Sequence, residues 1–345
     1  MEAFEPLEID GRDGEGGGQI VRTSVALSAV TGRPLRLIRV RAGRAKPGLQ
    51  AQHLAAVKAV ATVCEADTDG LRLGAERFRF VPGKLRGGRF DFRVATAGSA
   101  GLVLHAVLPA LLRAPEPSEV VFEGGTHVRS APPFEHVRYA FLPALAEMGI
   151  RAELTLERPG FFPKGGGRMV LRVEPWTELH PLSRSETVAI KTAQLRGTCH
   201  VGKLPSHVTE RAERRLKNCG VASLPDEGLA PSPGPGLAVC VEVKANKAVD
   251  VVTALGEKGR PTEHVVDEAV ESARAHLKAE APVGPFLADQ LLLYLALGAG
   301  GSFLTVPTTR HFETQVRTLG RFLSAQVRMT PAEGRVQVEV DAADM

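Results

Sequence analysis

Four of the five residues from Gly14 to Gly18 are glycine, and the fifth, Glu15, is a carboxylate. An apolar run follows at once: Ile20, Val21, Val25, Ala26, Leu27, Ala29 and Val30. Glycines clustered ahead of a helix let backbone N–H groups converge on an anion, and the helix dipole adds partial positive charge there. Arg22 falls in the first turns of that helix, where its guanidinium can fork onto a phosphate. A carboxylate is out of place in a bare anion site. Glu15 therefore points to a divalent cation held jointly by carboxylate and phosphate oxygens. A ligand-free tight turn also accounts for glycines before a helix, and this segment alone leaves both readings open. Two familiar phosphate motifs are excluded. No Lys-Ser/Thr pair follows the glycines, and G-x-G-x-x-G breaks at Gln19.

Other residues carry polar chemistry. Arg33, Arg36, Arg39, Arg41, Arg44 and Lys46 crowd one short segment. A solvated strand edge accounts for part of this cluster; a nucleic-acid or phosphate surface is the sharper reading. Asp289 interrupts an apolar helical pattern, where an unpaired carboxylate is costly. His311 opens the following helix, either as a nucleophile or as a ring satisfied by a backbone contact. Cys64, Cys199, Cys219 and Cys240 show no C-x-x-C spacing, so neither a zinc finger nor a disulfide framework follows. Cys199-His200 with His207 and Cys219 fits no standard finger and reads as coincidence.

The elements that must position these residues recur. A glycine-led apolar helix, a strand, a second helix, a strand, a turn and another strand appear three times. The first copy places helices over 19–31 and 49–64 and strands over 35–41, 77–81 and 89–95. The second places helices over 102–113 and 133–148 and strands over 119–123, 151–157 and 168–173. Gly87-Gly88 with the strand after it parallels Gly166-Gly167 with its strand, both alternating with period two. The third copy places helices over 286–297 and 311–323 and strands over 302–306, 326–329 and 335–340. Each unit can lay two helices on a four-stranded sheet, helices inward, an α+β arrangement. Residues 182–281 read as an inserted small α/β domain, with strands over 187–194 and 237–244 and helices over 206–219 and 262–277. The large domain is then 1–181 together with 282–345.

The 345 residues are 43% hydrophobic and 24% charged, ordinary for a globular protein with a substantial core. A net charge of +4 and an isoelectric point near 9.0 favour polyanionic partners only weakly. No window has the length of a membrane span. Met1–Glu5 is acidic and lacks a signal peptide's basic and apolar regions, so a cytoplasmic enzyme is the default expectation.

Six blocks in order resemble the RNA 3′-terminal phosphate cyclase family over nearly the whole chain. They are DGRDGEGGGQIVRT from Asp10, RAGRAKPGLQAQH from Arg41, GGTHVRSAPP from Gly124, FFPKGGG from Phe161, FLADQL from Phe286 and HFETQ from His311. The resemblance implies three repeats like the C-terminal domain of translation initiation factor 3, plus an inserted domain of thioredoxin-like topology. It implies an ATP-dependent conversion of an RNA 3′-phosphate to a 2′,3′-cyclic phosphate, releasing AMP and pyrophosphate. His311 corresponds to the family's adenylated histidine, forming a phosphoramidate with AMP. Glu15 is the expected ligand of Mg²⁺ or Mn²⁺. Arg22, Arg41 and Arg44 are expected on ATP or RNA phosphates, while ordinary surface charge fits Arg33, Arg36 and Arg39. Gln52 and His53 are expected to support the RNA end. Phe286, Leu287, Ala288, Asp289 and Gln290 match the nucleotide-binding segment, with Phe286 stacking on adenine. Pro132 and Pro133 either wall the base pocket or start a helix. The family often has glutamine where this chain has His105, a substitution that adds a titratable group to the expected ATP contacts.

Two other classes share parts of this pattern. A non-catalytic ribosome-assembly relative would have the fold without a nucleophilic histidine. An enolpyruvyl transferase-like enzyme would share the repeats but not the ordered motifs.

Overall fold

The computed structural model describes residues 5–95, 97–187, 193–224, 228–245 and 248–344. The first unit runs β1 (Leu7–Asp10), α1 (Gly18–Thr31), β2 (Leu35–Ile38), α2 (Ala51–Val63), β3 (Asp67–Asp69) and β4 (Phe78–Val81). Its sheet has the order β1-β2-β4-β3, with β1 parallel to β2 and the other pairs antiparallel. The second unit runs β5 (Gly88–Arg93), α3 (Ala100–Leu112), β6 (Ser118–Gly124), a π-helical turn at His136–Phe141 that continues as α4 (Leu142–Glu147), β7 (Ala152–Arg158) and β8 (Gly167–Val173). Its order, β5-β6-β8-β7, repeats the same pairing directions.

The third sheet takes its first strand, β9 (Leu182–Arg184), from residues read in the sequence as the start of the insertion. The insertion then supplies β10 (Gln194–Gly202), α5 (His207–Asn218), β11 (Ala222–Ser223), β12 (Gly236–Ala245), β13 (Ala248–Leu255) and α6 (Thr262–Ala279), with sheet order β11-β10-β12-β13. The chain returns through α7 (Pro285–Leu297), β14 (Gly301–Thr305), α8 (Arg310–Phe322), β15 (Val327–Ala332) and β16 (Arg335–Val340). Here β9 pairs in parallel with β14, and β14-β16-β15 complete the sheet. The chain is thus α+β.

Two sequence expectations change. The Gly-led strands at 89–95 and 168–173 are not equivalent closing strands of successive units. β5 opens the second sheet parallel to β6, and β8 flanks the other side of β6 antiparallel. Alternation reports burial of one face and is blind to the partner's identity and direction. The strand expected over 187–194 lies largely outside the described residues; β10 begins at Gln194. The strands β1, β3, β9 and β13 had no separate signal in the periodicity.

Helices occupy the middle of the large domain. α1 packs against α2, α3 and α8, and α7 packs against α8, in one continuous apolar core. α3 and α7 are buried almost all round, as their sequences AGLVLHAVLPALL and PFLADQLLLYLAL require. The sheet faces turned away carry charge pairs such as Arg172 to Glu119 (2.9 Å), residues directly opposite on β8 and β6. The insertion has a second core. Val239, Val241 and Val243 of β12 face Leu216 of α5 and Val266 and Val270 of α6. The intervening Cys240 therefore faces the large domain, within its core. Among the described residues, no helix is long and apolar enough to cross a membrane.

Candidate active site

The glycine-rich loop is a close-packed bridge between α1 and α8. β1 ends at Asp10, which Arg39 (2.6 and 3.0 Å) and Arg12 hold well below the usual carboxylate range. Gly14 and Gly16 follow with φ of +64° and +62°. A Cβ on Gly14 would meet the Thr314 side chain at 2.2 Å, and one on Gly18 would meet His53 Nε2 at 2.2 Å. These positions need glycine for contact as much as for φ. Thr314 Oγ1 accepts from the Glu15 amide (2.9 Å), which fixes the loop on α8. Gly17 caps α1 without a side-chain hydrogen bond, so the N–H groups of the first turn keep the capacity for an anion.

α8 brings the histidine to that loop. Thr309 caps the helix through Oγ1, accepting from Phe312 N at 3.2 Å. This puts His311 in the first turn, with Nδ1 at 3.0 Å from both Glu15 Oε2 and Gln19 Oε1. The Gln19 amide orientation follows from its other end, where Nε2 donates to Asp289 Oδ2 and Gln315 Oε1, each at 3.3 Å. Both neighbours of Nδ1 are acceptors, so Nδ1 carries the proton and Nε2 the lone pair. Burial lowers the His311 pKa, Asp289 pulls it back up, and Arg22 and Arg44 lower it further. The ring is neutral at neutral pH and about half exposed (49%).

Behind it lies a partly buried charge pair without direct contact. Burial pushes Asp289 up to about 7 against the pull of His311, Arg22 and Gln19. Burial lowers Arg22 to about 10, opposed by Asp289. No hydrogen bond or ion pair holds the Arg22 guanidinium among the described residues. A partly buried, unclamped guanidinium facing a cavity is a receptor for an anion. His53 lies at the start of α2, where Nδ1 accepts from Gln50 N (3.2 Å) and completes a capping box. Burial, with Arg22 and Arg41, lowers it to about 3. His105 is likewise lowered to about 3, by burial first and then His136 and Arg22. Its Nε2 has no hydrogen-bond partner among the described residues, and its ring tilts over Phe141 at 4.4 Å.

One cavity of about 1270 Å³ collects these groups. The first unit contributes Glu15, Arg22, Arg41, Arg44, Gln52 and His53; the second His105 and Pro132, with Pro133; the third Phe286, Asp289, Gln290 and His311. Phe286 is 70% exposed. Leu287 and Ala288 lie apart from the cavity, buried in the core on the opposite side of α7. Gln52 accepts from Ser99 N (3.3 Å), which ties α2 to the start of α3. Arg41 donates to the Lys46 and Gly48 carbonyls (2.7 and 3.0 Å), and burial lowers its pKa. Arg44 pairs with Glu15. Arg33, Arg36 and Arg39 stand elsewhere, on the Arg321 and Phe322 carbonyls, on Glu8 and on Asp10 respectively.

Sequence reasoning missed part of the lining. Gln19, Thr23 and Gln315 form a polar seam, with Thr23 Oγ1 donating to Gln315 Oε1 at 2.8 Å. The insertion closes a further wall through Asp250 and His276. His136 Nε2 meets Gln290 Oε1 at 3.1 Å, and its Nδ1 is 3.7 Å from Asp250. Gln19 and Gln315 stood inside recognisable motifs. Asp250 and His276 carried no local signal.

The donor set suits a hard cation at Glu15. A single carboxylate beside an anion-binding helix start matches the way Mg²⁺ is shared between protein and phosphate oxygens.

Comparison with known proteins bears on this site. The family model described as RNA 3′-terminal phosphate cyclase matches residues 13–329. A relative from Ectopseudomonas mendocina (strain ymp), RNA 3′-terminal phosphate cyclase, is 40% identical over 334 residues, covering 96% of each chain. Among solved structures, EPSP synthase from Acinetobacter baumannii aligns over 98% of this chain and 65% of its own, at 10% identity and a TM-score of 0.30. A likeness that low carries no argument.

Proposed function

The chain belongs to the RNA 3′-terminal phosphate cyclase family of enzymes, and from that premise we propose that it cyclises RNA 3′-phosphates at the expense of ATP, through a His311–AMP intermediate. The observation that carries the mechanism is the Nδ1 geometry of His311, held by Glu15 and Gln19 at 3.0 Å each.

A terminal phosphate monoester beside a ribose 2′-OH has no good leaving group. Adenylation supplies one, and a covalent enzyme intermediate divides the activation into steps. The His311 Nε2 lone pair attacks the α-phosphorus of ATP. The N–P bond forms, the bond to the β-phosphate oxygen breaks, and pyrophosphate leaves. Positive charge then develops on the imidazole. The Nδ1 proton stays on the ring, and Glu15 stabilises it as an acceptor. An oxygen of the RNA 3′-phosphate next attacks the same phosphorus, the N–P bond breaks, and AMP passes to the RNA. The 2′-hydroxyl finally attacks the RNA phosphorus, the bond to the adenylate oxygen breaks so that AMP leaves, and the hydroxyl proton passes to water.

Positioning and charge carry most of such transfers. Arg22, Arg41 and Arg44 are suited to phosphate oxygens. His53 Nε2–H and His105 Nε2 offer neutral polar contacts, since burial disfavours their cationic forms. Phe286 offers an exposed ring for a base, opposite Pro132. Gln290 and Asp289 offer polar contacts on the same helix. Glu15 would hold Mg²⁺ or Mn²⁺ together with phosphate oxygens, and that ion supplies neutralisation of triphosphate charge.

The test uses ATP labelled at the α-phosphorus with Mg²⁺, followed by denaturation. A covalent label that acid removes and alkali spares is expected, and His311→Ala should lose it, a fall of more than about a thousandfold in rate. Undiminished labelling of His311→Ala would reject the nucleophile.

A further inference from the structure

A second histidine-carboxylate cluster lies away from the cavity, between the second unit and the insertion. Glu135 is 2% exposed, in the helical turn that leads directly into the π-helical turn. His127 Nε2 meets its Oε2 at 2.8 Å, and His200 Nε2 of β10 meets its Oε1 at 2.6 Å. The Cys240 thiol of β12 donates to Oε2 at 3.2 Å. The ligand atoms of His127, Glu135 and Cys240 all lie within 4.8 Å of one another. The first two residues come from the large domain, the others from facing strands of the insertion. Adenylation chemistry uses none of them.

We propose that His127, Glu135, His200 and Cys240 form a tetrahedral site for one thiophilic divalent ion, Zn²⁺ being the best match, which fastens the insertion to the catalytic body. Two imidazoles, one carboxylate and one thiolate are zinc donors. The hydrogen-bonded donor atoms stand 2.6–3.2 Å apart. Tetrahedral zinc would part His127, Glu135 and Cys240 to about 3.3–3.7 Å, and His200, which reaches the cluster through the other carboxylate oxygen, would have to close on the ion as the fourth ligand.

Charge balance supports the assignment. One divalent ion with a carboxylate, a thiolate and two neutral imidazoles sums to zero. The surrounding bonds are oriented for this. Thr253 Oγ1 donates to Cys240 Sγ at 3.3 Å, a bond that favours thiolate. Thr126 Oγ1 lies 2.8 Å from His127 Nδ1 and itself accepts from Gly160 N at 2.8 Å, so Nε2 is the nitrogen presented to Glu135. Ligating histidines are usually oriented by such a partner on the other ring nitrogen. The site is distinct from the Glu15 position, where a single carboxylate and phosphate oxygens select a hard ion.

Full-length protein stripped by chelator is titrated with Co²⁺ in the absence of nucleotide. We expect one Co²⁺ per chain, tetrahedral visible absorption and a near-ultraviolet thiolate-to-cobalt band, all displaced by Zn²⁺. Cys240→Ser should lose the thiolate band, while Glu15→Gln and His311→Ala keep it. No thiolate band in the parent protein, or a band that survives Cys240→Ser, overturns the site. A second measurement needs no variant. Zn²⁺ should protect Cys240, but not Cys219, from alkylation in mild denaturant, as mapped by mass spectrometry. Equal alkylation of Cys240 with and without Zn²⁺ would also overturn it.

Discussion

Asp289 is a partly buried carboxylate and Glu135 a fully buried one, both in networks containing histidine, yet one is pushed up to about 7 and the other is held well below the carboxylate range. Burial raises both. At Glu135 it is outweighed by His127 and His200, through charge and hydrogen bonds. At Asp289 the side-chain donor is Gln19 at 3.3 Å, and the charges of His311 and Arg22 act without contact. The difference teaches that burial does not set protonation; the number and distance of donors does. It also separates two roles. A sealed, saturated carboxylate suits a fixed joint between domains. An under-satisfied one at a cavity wall suits a site whose charge must change as ligands arrive and leave.

Changing each carboxylate tests the contrast. Glu135→Ala removes the acceptor shared by two imidazoles and a thiol, and should cost about 3–5 kcal/mol in denaturant unfolding. A loss within experimental error would mean the cluster is not a joint. Asp289→Asn should act in the opposite sense. A raised carboxyl pKa penalises the folded state as pH climbs from 3.8 to about 7, and fully above that. The variant should therefore gain stability at pH 8, on the order of 2 kcal/mol, and little at pH 4. The lowered pKa of Glu135 has the reverse sign. Its stabilisation is present above 4.5 and lost as pH falls below it. A parent protein whose stability rises steadily from pH 4 to 8, with no gain in Asp289→Asn, would remove the contrast. Gln19→Ala is the smallest change. It removes the donor to Asp289 and one acceptor at His311, so adenylation should slow roughly fivefold to tenfold, about 1 kcal/mol. Its stability at pH 8 should fall less than that of Glu135→Ala.

The two regions also differ in how far the sequence announced them. The residues gathered at one edge of the cavity could be singled out in the sequence because they sit in short local blocks. Glycines precede α1, His311 opens α8 behind Thr309, and Asp289 interrupts an apolar helix. Each is a local oddity with a chemical reason. The Glu135 cluster had no such mark. Cys199-His200 with His207 and Cys219 reads as coincidence in the sequence, and the fold divides it. Cys199 points into the insertion's own core, while His200, its neighbour on β10, points the other way to Glu135. Strand alternation divides the pair between two faces, and the partners come from far along the chain. Likewise, Leu287 and Ala288 share a motif with Asp289 but turn into the core, because a helix sends neighbouring residues to different sides.

By itself the sequence determined the helices, most strands and the blocks that mark the family, since each depends on periodicity and composition within a short span. Tertiary structure alone decided which strands share a sheet, as with β5, β8 and β9. It also decided that Asp250 and His276 of the insertion wall the cavity, and which His311 nitrogen is bare. These outcomes depend on contacts between segments distant along the chain. A local pattern constrains which face is buried, but it carries no record of what lies against that face.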